Sequence, residues 1–392
     1  MTSLPGFLSR ERLIAWSVIF LVVETALFVF LVLQQNNVVM PVGPSSIDFV
    51  SFYAAGKLAL AGTPALAYDQ AAHYTAEQQA TAPGVPYVFF FYPPVFLLIC
   101  AAFASMPYLL AYAVFQATTF ALFAYTLRRI LGISGWTWLL PVIAFPATFW
   151  NIGQGQNAFL TASLLGGFGL LLDRRPVAAG AMIGALCFKP HLGLLAPVAL
   201  AAARRWAAFA AAATTSLALV GLSILLLGWD TWRAYFVAMS GADSVYTSGR
   251  INFAGFVSLF GGLRLAGLPV TPSYLIQAAI TLLCIIAIGV IWRHRAHGPA
   301  AYAALMATTM IAVPLFLLYD QVFAIVAIAW LVGDPNERGL TNGEKLLLVA
   351  LYPLALMAPV IALGAHIPLG LVVSTAIAAL CLRRAFRRDV SA

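Results

Sequence analysis

The chain has 392 residues, 62% of them hydrophobic and only 9% charged, with a net charge of +8. Soluble domains carry about 25% charged residues, so too few polar groups exist here to cover a water-facing surface, and a soluble globular protein is excluded. Long uninterrupted apolar runs, in place of short alternating segments, also exclude an outer-membrane barrel. The expected fold class is an all-α polytopic membrane protein.

The basic residues fall in small clusters between apolar runs: Arg10/Arg12, Arg128/Arg129, Arg174/Arg175, Arg204/Arg205, Arg293/Arg295 and Arg383/Arg384/Arg387/Arg388. Cytoplasmic loops carry such clusters under the positive-inside rule. A nucleic-acid surface would gather them on one aqueous face, so no nucleic-acid partner is expected. Cys100, Cys187, Cys284 and Cys381 lie within apolar runs without CxxC spacing, which points to neither a disulfide framework nor a zinc site.

Taken in order, Arg10 and Arg12 set the N-terminus in the cytoplasm and residues 13–33 form the first crossing. No small-residue cleavage site follows, so this span reads as a retained anchor. Glu24 within it is either functional or paired with a basic residue of a neighbouring helix.

Residues 34–88 form the longest polar interval, expected as a first outer loop, and hold Asp48, Lys57, Asp69, His73 and Glu77. Intervals of this length are usually functional or contain structure of their own; 51–61 and 69–80 read as short helices at the interface. Asp48 has apolar and aromatic neighbours in SSIDFVSFYAAGK. A carboxylate where membrane meets water is costly to desolvate and reads as part of a site, here as a catalytic base. It also stands where an N-cap would stand.

Phe89-Phe90-Phe91-Tyr92-Pro93-Pro94 enters the membrane as a headgroup-level aromatic cluster, with Tyr92 a candidate substrate contact. The apolar runs 95–106 and 108–127 follow, then 136–150. Asn151-Ile152-Gly153-Gln154-Gly155-Gln156-Asn157 sets four amides and two glycines between apolar spans. Amides both donate and accept, which suits sugar hydroxyls, and glycines allow close backbone approach. Gln154, Gln156 and Asn157 are therefore candidate binding residues, although a plain polar turn uses the same residue types.

Residues 177–203 contain Lys189-Pro190-His191 at their middle. Pro190 interrupts a helix there, and an unpaired lysine is costly in a bilayer. Lys189 thus faces a polar cavity, where an ammonium suits a phosphate, or pairs with Glu24 or another buried carboxylate. Residues 228–273 form a second outer segment with Asp230, Asp243, Arg250 and Asn252, and 253–268 dip into the interface. Tyr319 and Asp320 return to the side assigned to Asp48, where Asp320 is a site carboxylate or a helix cap.

If 95–106 and 108–127 both cross, Arg128/Arg129 land outside, against the positive-inside rule. The arrangement that satisfies every basic cluster lays the first along the interface and makes 177–203 a hairpin. It gives about 10–12 crossings in one domain over residues 1–392.

With these residues in view, the chain resembles the GT-C class of membrane glycosyltransferases, and within it glycosyltransferase family 87. The carrying pieces are IDFVSFYAAGKLALAGTPALAYD, FFYPPVF, NIGQGQNAFL, GAMIGALCFKPHLGLLAPVAL and the 314–321 stretch ending YDQ. The resemblance implies a bundle of membrane helices with short external helices in the first outer loop. It implies a polyprenyl-phosphate-linked sugar donor, with mannose the family example, and a glycan or glycolipid acceptor in the setting of a lipid bilayer. An acidic residue of the first outer loop is the base in such enzymes, and Asp48 matches it. Lys189, then Arg250, are the phosphate contacts; Lys57, Tyr319 and Asp320 complete the substrate set. Some relatives use a histidine where Tyr319-Asp320 stand. No DxD pair and no cofactor is expected. The implied location is a bacterial inner membrane, with both termini cytoplasmic and the site on the outer face. The rival readings are a flippase for a lipid-linked sugar and a non-catalytic scaffold; repeated halves with matching broken helices, the mark of many transporters, are not evident.

Overall fold

The computed structural model describes residues 9–35, 47–241, 245, 252–295, 298–333 and 339–387. Arg250, Asp243 and His297, and the Pro41, Gly43 and Pro44 punctuation of the first loop, lie outside the described residues. The described residues are helical, and their β-bridging is the isolated pair Phe256 and Leu317. The chain is an all-α polytopic membrane protein.

Helix α1 (Arg10–Gln35) precedes three short helices, α2 (Phe49–Leu60), α3 (Gln70–Ala80) and α4 (Pro94–Ala104). Next come α5 (Tyr108–Leu131), α6 (Leu139–Ile143), α7 (Pro146–Gln154), α8 (Ala158–Leu171), α9 (Pro176–Ala185), α10 (Leu195–Ala202) and α11 (Trp206–Leu227). Residues 228–273 carry α12 (Trp229–Ser240) and α13 (Leu259–Leu265). The chain closes with α14 (Val270–Arg295), α15 (Pro299–Ala312), α16 (Val322–Val332), α17 (Asn342–Ala365) and α18 (Leu369–Phe386).

Among the described residues, six helices are long and apolar enough to cross a bilayer: α1, α5, α11, α14, α17 and α18. Shorter apolar helices fill the space between them. One end of the bundle gathers the basic clusters. Arg205 pairs with Asp173, Asp173 also accepts from the Tyr302 hydroxyl at 3.4 Å, and Glu344 takes Arg384 at 2.6 Å. The opposite end gathers Asp48, the amide stretch, Lys189 and Asp320.

The two ambiguous segments resolve by the contacts at their ends. Helix α4 starts beside Tyr92, and the Met106 carbonyl just past its end accepts from the Tyr53 hydroxyl of α2 at 2.9 Å. Both its ends stay at the Asp48 end, so α4 lies alongside α2. Helix α9 runs from the basic end to Lys189, and α10 returns to Arg204/Arg205, which makes 177–203 a hairpin with Lys189 at its tip. Helix α9 has 10 residues and α5 has 24. At about 1.5 Å per residue, the hairpin tip sits well short of the height reached by the long helices. Lys189 therefore stands at the tip of a short hairpin, buried among the longer helices.

Small residues make the hairpin possible. Gly180 and Gly184, one turn apart on α9, face α11: a Cβ added at Gly180 would meet the Ala208 carbonyl oxygen at 2.1 Å, and at Gly184 the Ala212 carbonyl oxygen at 2.4 Å. This is the small-xxx-small contact by which membrane helices approach closely. Gly180→Val is expected to push α9 off α11 and destabilise by about 1–3 kcal/mol, the range for overpacking. A lowered unfolding midpoint in detergent checks it; an unchanged midpoint would show the contact to be dispensable.

Candidate active site

Asp48 sits at the start of α2, but its side chain does not cap that helix: its backbone is already helical and the carboxylate makes no capping bond. Oδ2 instead accepts from Gln156 Nε2 at 2.8 Å. The helix start is held from below by aromatic packing, with the Phe49 ring 5.6 Å from Tyr112 and 5.7 Å from Phe115 of α5. Gly155 lets the amide loop reach it. Its φ is +69°, and a Cβ there would lie 2.5 Å from Phe49 Cβ, so both conformation and space require glycine.

The amide stretch divides into two uses. Asn151 is structural: Nδ2 donates to Gln116 Oε1 at 3.2 Å, and Oδ1 accepts from Ala158 N at 3.0 Å. Gln116, from α5, also donates to the Gln156 carbonyl at 3.0 Å. With its backbone held this way, Gln156 points its side chain at Asp48 and accepts at Oε1 from the Tyr92 hydroxyl at 3.2 Å. Asn157 turns toward the hairpin tip, where its Oδ1 accepts from Lys189 Nζ at 3.3 Å. Its buried Nδ2 has no hydrogen-bond partner among the described residues.

Lys189 Nζ donates to Asp320 Oδ1 at 2.7 Å and lies 5.3 Å above the Tyr319 ring. Asp320 is fully buried and also accepts from Leu317 N at 3.4 Å. Two of the three ammonium hydrogens are thereby engaged. Glu24, which the sequence offered as a partner, is buried in α1 with Oε1 unpartnered; the lysine's carboxylate is Asp320.

Asp48, Tyr92, Gln156, Asn157, Lys189, Tyr319 and Asp320 thus form one connected cluster. Gln154 is half-buried at the end of α7 without a polar bond into it among the described residues, and Lys57 is exposed in the last turn of α2. Sequence reasoning missed Gln116, whose only signal was a lone amide in an apolar span. Among the described residues, no group of three or more His, Cys, Asp or Glu converges as a metal site would require.

Burial raises the pKa of Asp48; the Gln156 hydrogen bond and the Lys189 charge draw it partly back. Asp48 Oδ1 has no hydrogen-bond partner among the described residues, which leaves its lone pairs open to a hydroxyl proton. The site can therefore accept a proton at Asp48 and hold an anion at Lys189 and Asn157.

Comparison with known proteins gives one family: the model of glycosyltransferase family 87 matches residues 90–319. The match takes in Tyr92, Gln156, Asn157, Lys189 and Tyr319 and stops short of Asp48 and Asp320. No curated protein and no solved structure matches.

Proposed function

The chain belongs to glycosyltransferase family 87, and on that premise we propose that it moves a hexose, mannose in our reading, from a polyprenyl-phosphate carrier to a glycan or glycolipid acceptor. The observation that carries this reading is the Asp48 carboxylate, held by Gln156 through one oxygen and open at the other. It stands close enough to Lys189 to feel its charge.

In the proposed step, the acceptor hydroxyl attacks the anomeric carbon as its proton passes to Asp48 Oδ1. The bond from that carbon to the phosphate oxygen breaks, and the electron pair leaves with the polyprenyl phosphate. A single displacement inverts the anomeric centre. The departing phosphate is a weak base, so no carboxylic acid is needed to protonate it, unlike the leaving group in glycoside hydrolysis.

The third ammonium hydrogen of Lys189 and the unpartnered Nδ2 of Asn157 are the donors for the phosphate oxygens. Asp320 holds the lysine in place through the 2.7 Å contact. A groove of about 360 Å³ along the flank of the Lys189 hairpin, lined by Leu186, Cys187, Pro190, Pro197 and Phe209, offers apolar walls for isoprene units. The basic clusters at the opposite end of the bundle support a cytoplasmic location for that end, hence a site on the outer face of a bacterial inner membrane.

The test is transfer of label from polyprenyl-phosphate-mannose to a membrane acceptor extract by the purified protein, beside a panel of other polyprenyl-phosphate sugars. Label reaching no product from any donor in the panel would overturn the reading. The pH profile gives a second test. Asp48 works only when ionised, and burial makes it hold its proton to higher pH. The acid limb of kcat/KM is therefore expected above the ordinary aspartate value of about 3.9. A limb at or below that value would remove burial as its determinant.

A further inference from the structure

The first polar interval holds a titratable couple that the transfer step leaves unused. His73 and Glu77 stand one turn apart on α3, both fully buried. His73 Nε2 lies 3.0 Å from the Ser51 carbonyl oxygen. A carbonyl only accepts, so Nε2 carries the proton and Nδ1 is a bare acceptor in the neutral ring. Burial keeps the ring neutral by pushing its pKa down to about 4.

Glu77 Oε2 accepts from Val88 N–H at 3.1 Å. Its Oε1 faces His73 Nδ1 at 3.6 Å, and neither atom has another partner among the described residues. Burial raises Glu77 to about 8, opposed by the Val88 N–H and assisted by the Asp48 charge, so near neutrality it is a carboxylic acid. Its hydrogen, placed on Oε1, meets the bare Nδ1 and satisfies both atoms once the side chains close by about 0.6–0.9 Å.

We propose that Glu77 and His73 are a positioning pair for the transferase: a hydrogen bond from Glu77 Oε1–H to His73 Nδ1 locks the imidazole against Ser51 and so fixes the turn from which Asp48 projects. The proposal rests on the reading of Asp48 as the base. The linkage is short, because Ser51 N donates to the Asp48 carbonyl at 3.2 Å and the imidazole closes that same turn. Through Val88, the other Glu77 oxygen holds the extended segment that ends at Tyr92, whose hydroxyl bonds the Gln156 that steadies Asp48. One couple ties together the two arms of the site without touching the reacting atoms.

The titratable groups around the couple are Asp48 at the start of α2, Tyr87 from the extended segment, its ring 5.7 Å from that of His73, Asp69 at the start of α3 and Tyr108 at the start of α5. Burial and the Glu77 charge push the Tyr87 phenol above its ordinary value, and Asp48 must already be ionised for turnover. Glu77 is left as the group that titrates on the alkaline side. Its ionisation sets a carboxylate against a bare nitrogen lone pair and releases the lock, so transfer falls as pH rises through about 8. The folded state holds this proton more tightly than the unfolded chain. Its contribution to stability is therefore complete below the ordinary value of 4.5 and drains away as pH rises to about 8.

Glu77→Gln is the isostere of the acid: the amide donates to Nδ1, the carbonyl accepts from Val88, and no proton can be lost. The experiment measures kcat, donor KM and the unfolding midpoint of the full-length protein in detergent, from about pH 6 to about pH 9.5, with labelled polyprenyl-phosphate-mannose. Wild type is expected to lose kcat with a midpoint near 8 at constant donor KM, and to lose thermal stability as pH rises from about 6 to about 8, levelling off above that. Glu77→Gln is expected to hold its own neutral-pH values across the range. His73→Ala should lose about tenfold or more in kcat, and His73→Gln, which can still donate to Ser51, should recover most of it. The exposed Gln79→Ala on the same helix should follow wild type.

An alkaline limb unchanged in Glu77→Gln, or wild-type kcat in His73→Ala, would overturn the pairing. Asp48→Asn, run beside them, separates the two ideas: full transfer there overturns the base reading, whereas an inactive Asp48→Asn with an unmoved Glu77→Gln limb overturns the pairing alone. The unfolding midpoints decide the proton on Glu77 whichever sugar donor is used.

Discussion

Asp48→Asn is expected to lower kcat for transfer by about a hundredfold or more while the protein still inserts and keeps its unfolding midpoint. A positioned general base contributes about 10²–10⁴-fold, and the amide keeps the shape of the carboxylate but cannot accept the proton. It can still take the Gln156 hydrogen bond through its oxygen, so the connection from Tyr92 through Gln156 persists. Donor KM should change little, because the donor's phosphate is held at Lys189 and Asn157, not at Asp48. A variant that transfers within about threefold of wild type would remove Asp48 from the chemistry, since a hundredfold loss is about 2.7 kcal/mol of barrier. That result would return it to a hydrogen-bonded support for Gln156.

The second large effect is expected at Lys189, and it separates two roles. Lys189→Met leaves Asp320 fully buried without its 2.7 Å partner. Breaking a buried pair from one side typically costs about 3–5 kcal/mol, because the remaining charge is uncompensated. Lys189→Met should therefore lower both the unfolding midpoint and donor affinity. Adding Asp320→Leu removes the stranded carboxylate, and replacing buried pairs by apolar residues is often neutral or stabilising. The double variant should regain thermal stability while donor KM stays raised, since the phosphate has lost its ammonium. Recovery of stability and donor KM together would make the pair structural and place the phosphate elsewhere.

Much of the architecture was legible before any coordinates. A chain with 9% charged residues cannot be soluble, and the basic clusters alone predicted that residues 95–106 stay at one end and 177–203 turn back. The packing agrees, because Met106 bonds Tyr53 and α10 returns to an arginine paired with Asp173. The candidate cluster was also largely in view: Asp48, Tyr92, Gln156, Asn157, Lys189, Tyr319 and Asp320 were singled out one by one.

Pairing was not legible. Asp48 stood at a helix start, where capping is the local expectation, yet its carboxylate turned to Gln156, 108 positions away. Lys189 could have met Glu24 or Asp320, and only the packing of α9, α15 and α16 chose Asp320. Gln116 looked like an incidental amide, and its role exists only because α5 passes beneath the amide loop. His73 and Glu77 read only as polar residues of a short interfacial helix, and their burial arises because α3 folds against α2.

The division has one physical cause. Solvent preference is a property of each residue and its near neighbours, so membrane insertion, helix extents and the sidedness of the basic clusters follow from composition and order along the chain. A buried polar group is settled by which partner satisfies it, and that partner arrives from anywhere in the chain. The protonation of Glu77, the orientation of Asp48 and the counter-charge of Lys189 are all such choices, and they exist only once the helices have packed.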